Sequence, residues 1–399
     1  MERANKLKFD TICVKENIEI GKGSPHVLPI HATSAFSYNK LEDSIDVFTG
    51  KEKGYVYSRF ANPTVDSVEL KLAQLEAIDS EKDAYCVMTS SGLAAISTLC
   101  ISLLSPGDAL LTQADLYGGT SEIFSKIMSK YGVEVILANL SDVEEVEQHL
   151  QNNNNIKLLY CESPSNPTLG CINLKQLADL TKNHNVLTAV DNTFCTSYIQ
   201  RPMSLGIDFV VYSTTKFING HGNGIAGAII TKDEEHRTNI WTSMKLMGTN
   251  CNPFDAWLVH NGLKTMSVRL DRHCGNAMTI AQYLENHKLV NKVNYPGLES
   301  FHDHKVASMQ MDQFGGMLSF EIDGGMEAAK RFMNSTELCS ITSTLGNVDT
   351  LLLHPATSSH LNIDKELREA NGITDGLVRM SVGIENVHDI ISDIELGLE

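Results

Sequence analysis

From residue 62 onward, apolar positions fall into short runs separated by amphipathic segments, and the first of those segments predicts a helix. Asn62 can cap it, Pro63 suits its first turn, and Val65, Val68, Leu72 and Leu75 recur along one face. Apolar runs of strand length come next at Tyr85–Met88, Ala109–Thr112, Val133–Ile136, Ile156–Tyr160, Val186–Val190 and Phe209–Tyr212, separated by stretches of helical length. This alternation predicts an α/β fold with a mostly parallel central sheet and helices on both faces. After about residue 255 the rhythm changes to a helical region (255–288), a strand at Met317–Ile322, a strand at Val378–Val382 and a helix over 386–398. That change predicts a smaller C-terminal α/β domain. The first sixty residues are polar and irregular, with Gly23, Pro25 and Pro29 close together, and predict an extended arm. The expected organisation is therefore an arm (1–60), a large domain (61–255) and a smaller C-terminal domain (256–399).

From Ala84 to Gly107 there is no charged residue, a length that imitates a membrane span. The polar break Thr89-Ser90-Ser91-Gly92 and the closing Pro106-Gly107-Asp108 instead predict a buried strand, a turn and a buried helix. Composition agrees: 399 residues, 42% hydrophobic and only 10 prolines exclude disordered, collagen-like and disulfide-scaffold classes. The 32 basic residues against 49 acidic ones give a net charge of −17, which argues against nucleic-acid and membrane-surface partners. Only a small, local basic pocket for an anion fits that balance. Nine cysteines are scattered without a C-x-x-C pair, so neither a disulfide framework nor a zinc site is expected. Reduced cytosol is the expected compartment, and the polar start at Met1–Lys6 shows no signal-peptide pattern.

In open parallel sheets ligands bind at the carboxyl ends of strands. Those ends read Thr89-Ser90-Ser91-Gly92-Leu93, Asp115-Leu116-Tyr117-Gly118-Gly119, Glu162-Ser163-Pro164-Ser165-Asn166, Asp191-Asn192-Thr193 and Ser213-Thr214-Thr215-Lys216. Ser91-Gly92-Leu93 opening an uncharged helix aims backbone N–H groups at a phosphate, although Ser-Ser-Gly is also a common cap. Lys216 ends a buried run, where a lysine must pair, reach water or lose its proton, and a lysine of lowered pKa is suited to Schiff-base chemistry. Asp191 ends another buried run and needs a cationic or hydrogen-bonding partner. The plain alternative is that Asp191 and Lys216 pair with each other or cap the next turns of chain. Taken together, the lysine, the carboxylate, aromatic Tyr117, the hydroxyls and the phosphate cradle answer the needs of pyridoxal 5'-phosphate (PLP). Gly222-Asn-Gly224-Ile-Ala-Gly227 satisfies G-x-G-x-x-G, yet it leads into a strand-like run, Ala228–Thr231, where a dinucleotide site needs a helix.

With these residues the chain resembles the Cys/Met metabolism family of PLP enzymes, which includes cystathionine γ-synthases, cystathionine lyases, methionine γ-lyases and O-acylhomoserine sulfhydrylases. The similarity runs from Tyr57-Ser-Arg59 and Asn62-Pro63-Thr64 through Ser213–Lys216 to Leu377–Gly383. Arg269–His273, Tyr295–Leu298 and Gly315–Leu318 are most similar to the methionine γ-lyase branch. The resemblance implies PLP fold type I, the aspartate-aminotransferase-like architecture. It implies that Lys216 holds the cofactor and moves protons, that Asp191 holds the pyridinium, and that Tyr117 stacks on the ring and protonates the leaving group. Ser91, Gly92, Leu93, Ser213 and Thr215 would bind the phosphate, with Tyr57 and Arg59 supplied by a neighbouring subunit of a homodimer, usually paired into a tetramer. Arg379 would clamp the substrate carboxylate, with Thr344 beside the substrate, Glu162 near the ring, and Asn166 between ring and carboxylate. No metal is implied.

Two departures bear on substrate. Gly119 stands where methionine γ-lyases carry cysteine, and Ser343 stands where cystathionine enzymes place a glutamate. Asn223 and Asn261 replace an Asp and an Arg common near the family's active-site mouth. The expected reaction is γ-elimination of a thiol from methionine or homocysteine, giving ammonia and a 2-oxo acid. The alternatives are γ-replacement, as in an O-acetyl- or O-succinylhomoserine sulfhydrylase or a cystathionine γ-synthase, and cystathionine γ-lyase activity. His302 and His304 are expected to be solvated, not metal ligands, and Cys195 a buried apolar residue. The methionines are expected as core filler, with Met311, Met317 and Met333 as candidate pocket lining.

Overall fold

A computed structural model describes residues 7–15, 23–80, 82–361 and 364–399. Residues 1–6 and 16–22 of the expected arm, Met1–Lys6 among them, lie outside the described residues. Seven strands form the larger sheet: β1 (Tyr85–Thr89), β2 (Ala109–Thr112), β3 (Glu134–Leu137), β4 (Ile156–Glu162), β5 (Leu187–Asp191), β6 (Phe209–Tyr212) and β7 (Gly227–Thr231). Their order is β1-β7-β6-β5-β4-β2-β3. Only β7 runs against its neighbours, β1 and β6; every other pair is parallel. The carboxyl ends of β1, β2, β4, β5 and β6 therefore share one edge.

Side chains alternate along each strand and feed two separate apolar layers. Cys86, Met88, Leu111, Leu159 and Val210 join one cluster, while Val87, Leu110, Leu158, Phe209 and Val211 join the other. The helix Pro63–Glu76 covers the first face with Val65, Val68, Leu72 and Leu75, and Asn62 Oδ1 caps it by accepting from Thr64 N–H at 3.0 Å. The helix Gly92–Leu103 covers the second with Ala95, Ile96, Leu99 and Cys100. The uncharged stretch is thus β1 and a helix buried on the sheet, and among the described residues no helix is long and apolar enough to cross a membrane.

The smaller sheet takes the order β10-β11-β12-β9-β8, from β8 (Val290–Asn294), β9 (Met317–Ile322), β10 (Ser340–Ile341), β11 (Leu351–Leu353) and β12 (Leu377–Ser381). Sequence periodicity misses β8, β10 and β11, which are short or largely polar. The helical region 255–288 is two helices, Pro253–Leu263 and Met266–Glu285, divided at Lys264-Thr265. The arm is not wholly irregular: it contains helices Phe9–Val14 and Leu41–Phe48. Neither has an N-cap side-chain hydrogen bond, which removes the start signal that marks a helix in sequence.

Arg269 joins the second of those paired helices to the chain just after β6. Its buried guanidinium donates to Phe217 O (2.8 Å), Ile218 O (3.1 Å) and Gly262 O (2.9 Å), and Nε donates to Thr265 Oγ1 (3.1 Å). Gly220 turns beside it at φ +73, where a Cβ would lie 1.9 Å from an Arg269 nitrogen. Arg269→Met strands the Phe217 and Ile218 carbonyl oxygens, Gly262 O keeping its bond from Thr265 N–H, so it should lower unfolding stability by about 2 kcal/mol or more. Denaturant unfolding of the variant checks this, and a loss under about 1 kcal/mol would contradict it.

Candidate active site

At the shared strand edge a cavity of about 280 Å³ is lined by Ser91, Gly92, Leu93, Tyr117, Glu162, Asn166, Asp191, Ser213, Thr215, Lys216 and, from the smaller sheet, Arg379. Thr344 reaches the same place through hydrogen bonds to Lys216 and Arg379. Of the residues expected to hold cofactor and substrate, only Tyr57 and Arg59 lie elsewhere. Arg59 donates to Lys245 O and stacks against Tyr57 and Phe60.

One end of the cavity is the start of the Gly92–Leu103 helix. Ser91 Oγ accepts from Ala94 N–H at 3.0 Å and Ser91 O accepts from Ala95 N–H at 3.0 Å, so the Gly92 and Leu93 amides have no acceptor inside the helix. Gly92 is required by close approach: a Cβ there would lie 2.7 Å from Ser213 Cβ. Ser213 is fixed in turn, its N–H donating to Thr193 Oγ1 at 2.8 Å. Thr215 Oγ1 ties back to Ala226, accepting from its N–H at 3.1 Å and donating to its carbonyl at 3.2 Å. Gly227, the last glycine of the G-x-G-x-x-G string, opens β7, and a Cβ there would stand 2.2 Å from Ser91 O. Gly227 serves close packing under the helix start, while Gly222 and Gly224 pack against Asn347 and Leu258.

Asp191 and Glu162 stand opposite each other in the β4/β5 register. Asp191 Oδ1 accepts from Thr193 N–H at 2.9 Å, and burial pushes its carboxyl up against that bond. Glu162 accepts from Tyr117 N–H at 2.9 Å and from Thr120 Oγ1 at 3.1 Å. Burial, and then the Asp191 charge, push Glu162 well above the usual carboxylate range. Sequence reasoning misses the roles of Thr193 and Thr120, although Thr193 lies two places after Asp191, where a hydroxyl can reach the neighbouring strand.

Lys216 Nζ donates to Thr344 Oγ1 at 3.0 Å. The plain alternative of an Asp191–Lys216 ion pair does not hold: among the described residues no ion pair joins them. Burial, reinforced by the Arg379 charge, lowers Lys216 to about 8. Arg379 lies on β12, buried, donating to Asn166 Oδ1 and to Thr344 O, each at 3.1 Å. Burial brings it down to about 10, and its Nε has no partner among the described residues.

Tyr117 is 46% exposed at the mouth. Gly119 lies under its ring: a Cβ there would fall 2.7 Å from Tyr117 Cε1 and 3.0 Å from Leu93 Cδ1. The cysteine expected in methionine γ-lyases would therefore push the ring aside in this chain. Ser343 lines the cavity. Asn223 accepts from Asn219 Nδ2 at 2.9 Å, and nothing in the structure explains Asn261. Met311, Met317 and Met333 are buried in the main core, and none lines the cavity. Burial drives Cys195 well above the usual thiol range, as an inert apolar residue requires. His302 is beside Asp303 and His304 is bonded to Pro296 O.

The Cys/Met metabolism PLP-dependent enzyme family model matches residues 10–399. The chain is 43% identical over 374 residues to an L-methionine gamma-lyase of Fusobacterium nucleatum subsp. polymorphum, covering 93% of each chain. It is 39% identical over 372 residues to a cystathionine beta-lyase of Lactococcus lactis subsp. cremoris, again covering 93% of each. A solved structure of cystathionine gamma synthase from Xanthomonas oryzae pv. oryzae, in complex with aminoacrylate and cysteine, superposes with a TM-score of 0.91 at 35% identity, covering 98% of both chains.

The residues present fit PLP. Free helix-start amides and hydroxyls suit a phosphate, a buried carboxylate suits a protonated ring nitrogen, and a desolvated amine suits an aldehyde. Gly92→Ala should weaken PLP binding about tenfold or more by opening the contact with Ser213, as equilibrium dialysis of the apoprotein would register. Only neutral Lys216 attacks an aldehyde, so PLP capture should speed up as pH rises through about 8. One unit below that value about a tenth of the amine is neutral, and a capture rate flat with pH would contradict the assignment.

Proposed function

The chain belongs to the Cys/Met metabolism family of PLP-dependent enzymes, and from that membership we infer a carbon–sulfur lyase that carries out γ-elimination on methionine or homocysteine. With methionine and water the products are methanethiol, ammonia and 2-oxobutyrate. Support comes from the 43% identity to an L-methionine gamma-lyase and, within the site, from one placement above all: a desolvated Lys216 amine beside the buried Arg379 guanidinium.

PLP, held by these residues, would supply an electron sink for the pair released at the substrate's α carbon. Arg379 forks onto the substrate carboxylate, its planar guanidinium already aimed by Asn166 and Thr344. Lys216 Nζ, with Thr344 Oγ1 as its resting partner, takes the proton from the α carbon and returns protons along the chain. Tyr117 covers the ring and gives its hydroxyl proton to the departing sulfur. Asp191 keeps the ring nitrogen protonated, and Glu162 orders the Tyr117 turn through its backbone. Ser91, Gly92, Leu93, Ser213 and Thr215 hold the phosphate.

Tyr57 and Arg59 complete the phosphate site from a second copy of the chain. In support, neither lines the cavity of its own chain, and Tyr57 is 40% exposed. The working unit is then a homodimer with shared sites, paired into a tetramer. Residues 61–255 form the cofactor-binding domain and 256–399 the domain that brings in Arg379. Nine free, buried cysteines suit the reducing cytosol.

γ-Replacement on an O-acylhomoserine is the second reading, favoured by Gly119, which this chain shares with the cystathionine enzymes. Incubation with L-methionine alone decides between them: 2-oxobutyrate should accumulate, and its absence until an acyl donor and a thiol are combined would overturn the lyase assignment. Arg379→Lys should raise KM for methionine about ten- to hundred-fold, the worth of a charge-assisted fork. Steady-state kinetics that leave KM unchanged would remove Arg379 from the carboxylate role.

A further inference from the structure

Four polar side chains are packed in the core near the chain segments that carry the site, and a partly buried fifth joins them. Glu76, Tyr212, Asn192 and Gln200 are each at most 1% exposed, and Gln310 joins them from the chain before β9. Glu76 is the last residue of the Pro63–Glu76 helix, and its Oε2 accepts from the Tyr212 hydroxyl at 2.5 Å. The Tyr212 oxygen accepts from Asn192 Nδ2 at 2.9 Å, and Asn192 Oδ1 accepts from Gln200 Nε2 at 2.9 Å. Gln200 Nε2 also donates to Ser163 O at 2.9 Å, and Gln310 Nε2 donates to Gln200 Oε1 at 3.1 Å.

The direction of this relay is fixed. Because the Tyr212 oxygen already accepts from Asn192, its single proton goes to Glu76. Glu76 is the terminal acceptor. Burying a carboxyl here is costly, and burial pushes Glu76 up to about 7 despite the Tyr212 bond. An apolar residue would be the cheaper filler if the helix end had only to pack.

What the relay holds is the turns that carry site residues. Asn192 comes directly after Asp191 and precedes Thr193, which fixes Ser213. Ser163 comes directly after Glu162 and lies three places before Asn166. The relay therefore ties the ends of β4 and β5 to each other and to a helix on the far side of the sheet.

We propose that Glu76 and Tyr212 are positioning residues for the cofactor, acting through Asn192 and Gln200 on the turns that present Asp191 and Asn166. Neither touches the cavity. The inference rests on the PLP assignment and is independent of which thiol leaves.

Tyr212→Phe removes the relay hydroxyl and keeps the ring, so it isolates the hydrogen bonds from the packing. Glu76→Leu removes the acceptor, and Glu76→Gln keeps an acceptor oxygen for Tyr212. Holoenzyme of each is dialysed to measure PLP dissociation, and the visible circular dichroism of the bound cofactor is recorded. Tyr212→Phe and Glu76→Leu should raise the PLP dissociation constant about tenfold and reduce the cofactor dichroism, with Glu76→Gln restoring both towards the unmodified protein. Should Glu76→Leu fail to fold, Tyr212→Phe carries the test alone. Unchanged PLP affinity and dichroism in Tyr212→Phe would overturn the proposal, as would a loss in Glu76→Gln equal to that in Glu76→Leu. Failure of methionine turnover with PLP binding still dependent on Tyr212 would overturn the substrate assignment and leave this one standing.

Discussion

Two cations placed out of water beside each other set the terms for the rest of this molecule. Lys216 and Arg379 share one cavity, and among the described residues neither has an ion-pair partner. Their contacts are a threonine hydroxyl, a threonine carbonyl and an asparagine amide oxygen. Burial first, and then the neighbouring Arg379 charge, push the lysine towards neutrality. A site in that state favours an aldehyde that consumes the amine and a carboxylate that answers the guanidinium. In a chain of net charge −17, the Arg379 guanidinium and the Lys216 amine are the groups here that answer small anionic ligands.

The fold provides the constraint by topology. Strands buried on both faces deliver Lys216 and Asp191 to one edge without exposing their backbone, and β12 of the second sheet brings Arg379 across to them. Arg269 fixes the chain just beyond Lys216, through the Phe217 and Ile218 carbonyls. Asp191 and Glu162, paired in register, place the carboxyl groups on the neighbouring strands. The cationic and acidic groups are thus held apart within one cavity instead of neutralising each other as ion pairs.

Much of this is legible in the sequence because parallel strands buried on both faces leave continuous apolar runs, and the residues just past the end of each run line the site. Lys216, Asp191, Gly92 and Asn166 stand at such positions. Arg379 and the split between Tyr57, Arg59 and the cavity come from the family resemblance, since no local pattern marks them. Contacts between distant segments are not legible. The need for glycine at 119 depends on where the Tyr117 ring and Leu93 lie, and the relay from Glu76 joins residues far apart in sequence. The arm helices escape because they lack side-chain caps, and β10 and β11 because two or three residues carry no period.

The proposed chemistry turns on the Lys216 amine, and no other, engaging the cofactor aldehyde. Reducing the holoenzyme with borohydride fixes that linkage covalently, and peptide mapping by mass spectrometry then locates it. A single phosphopyridoxyl group is expected on the peptide containing Ser213-Thr-Thr-Lys216; a label on any other lysine, or none at all, would show that a different group holds the cofactor or that none does.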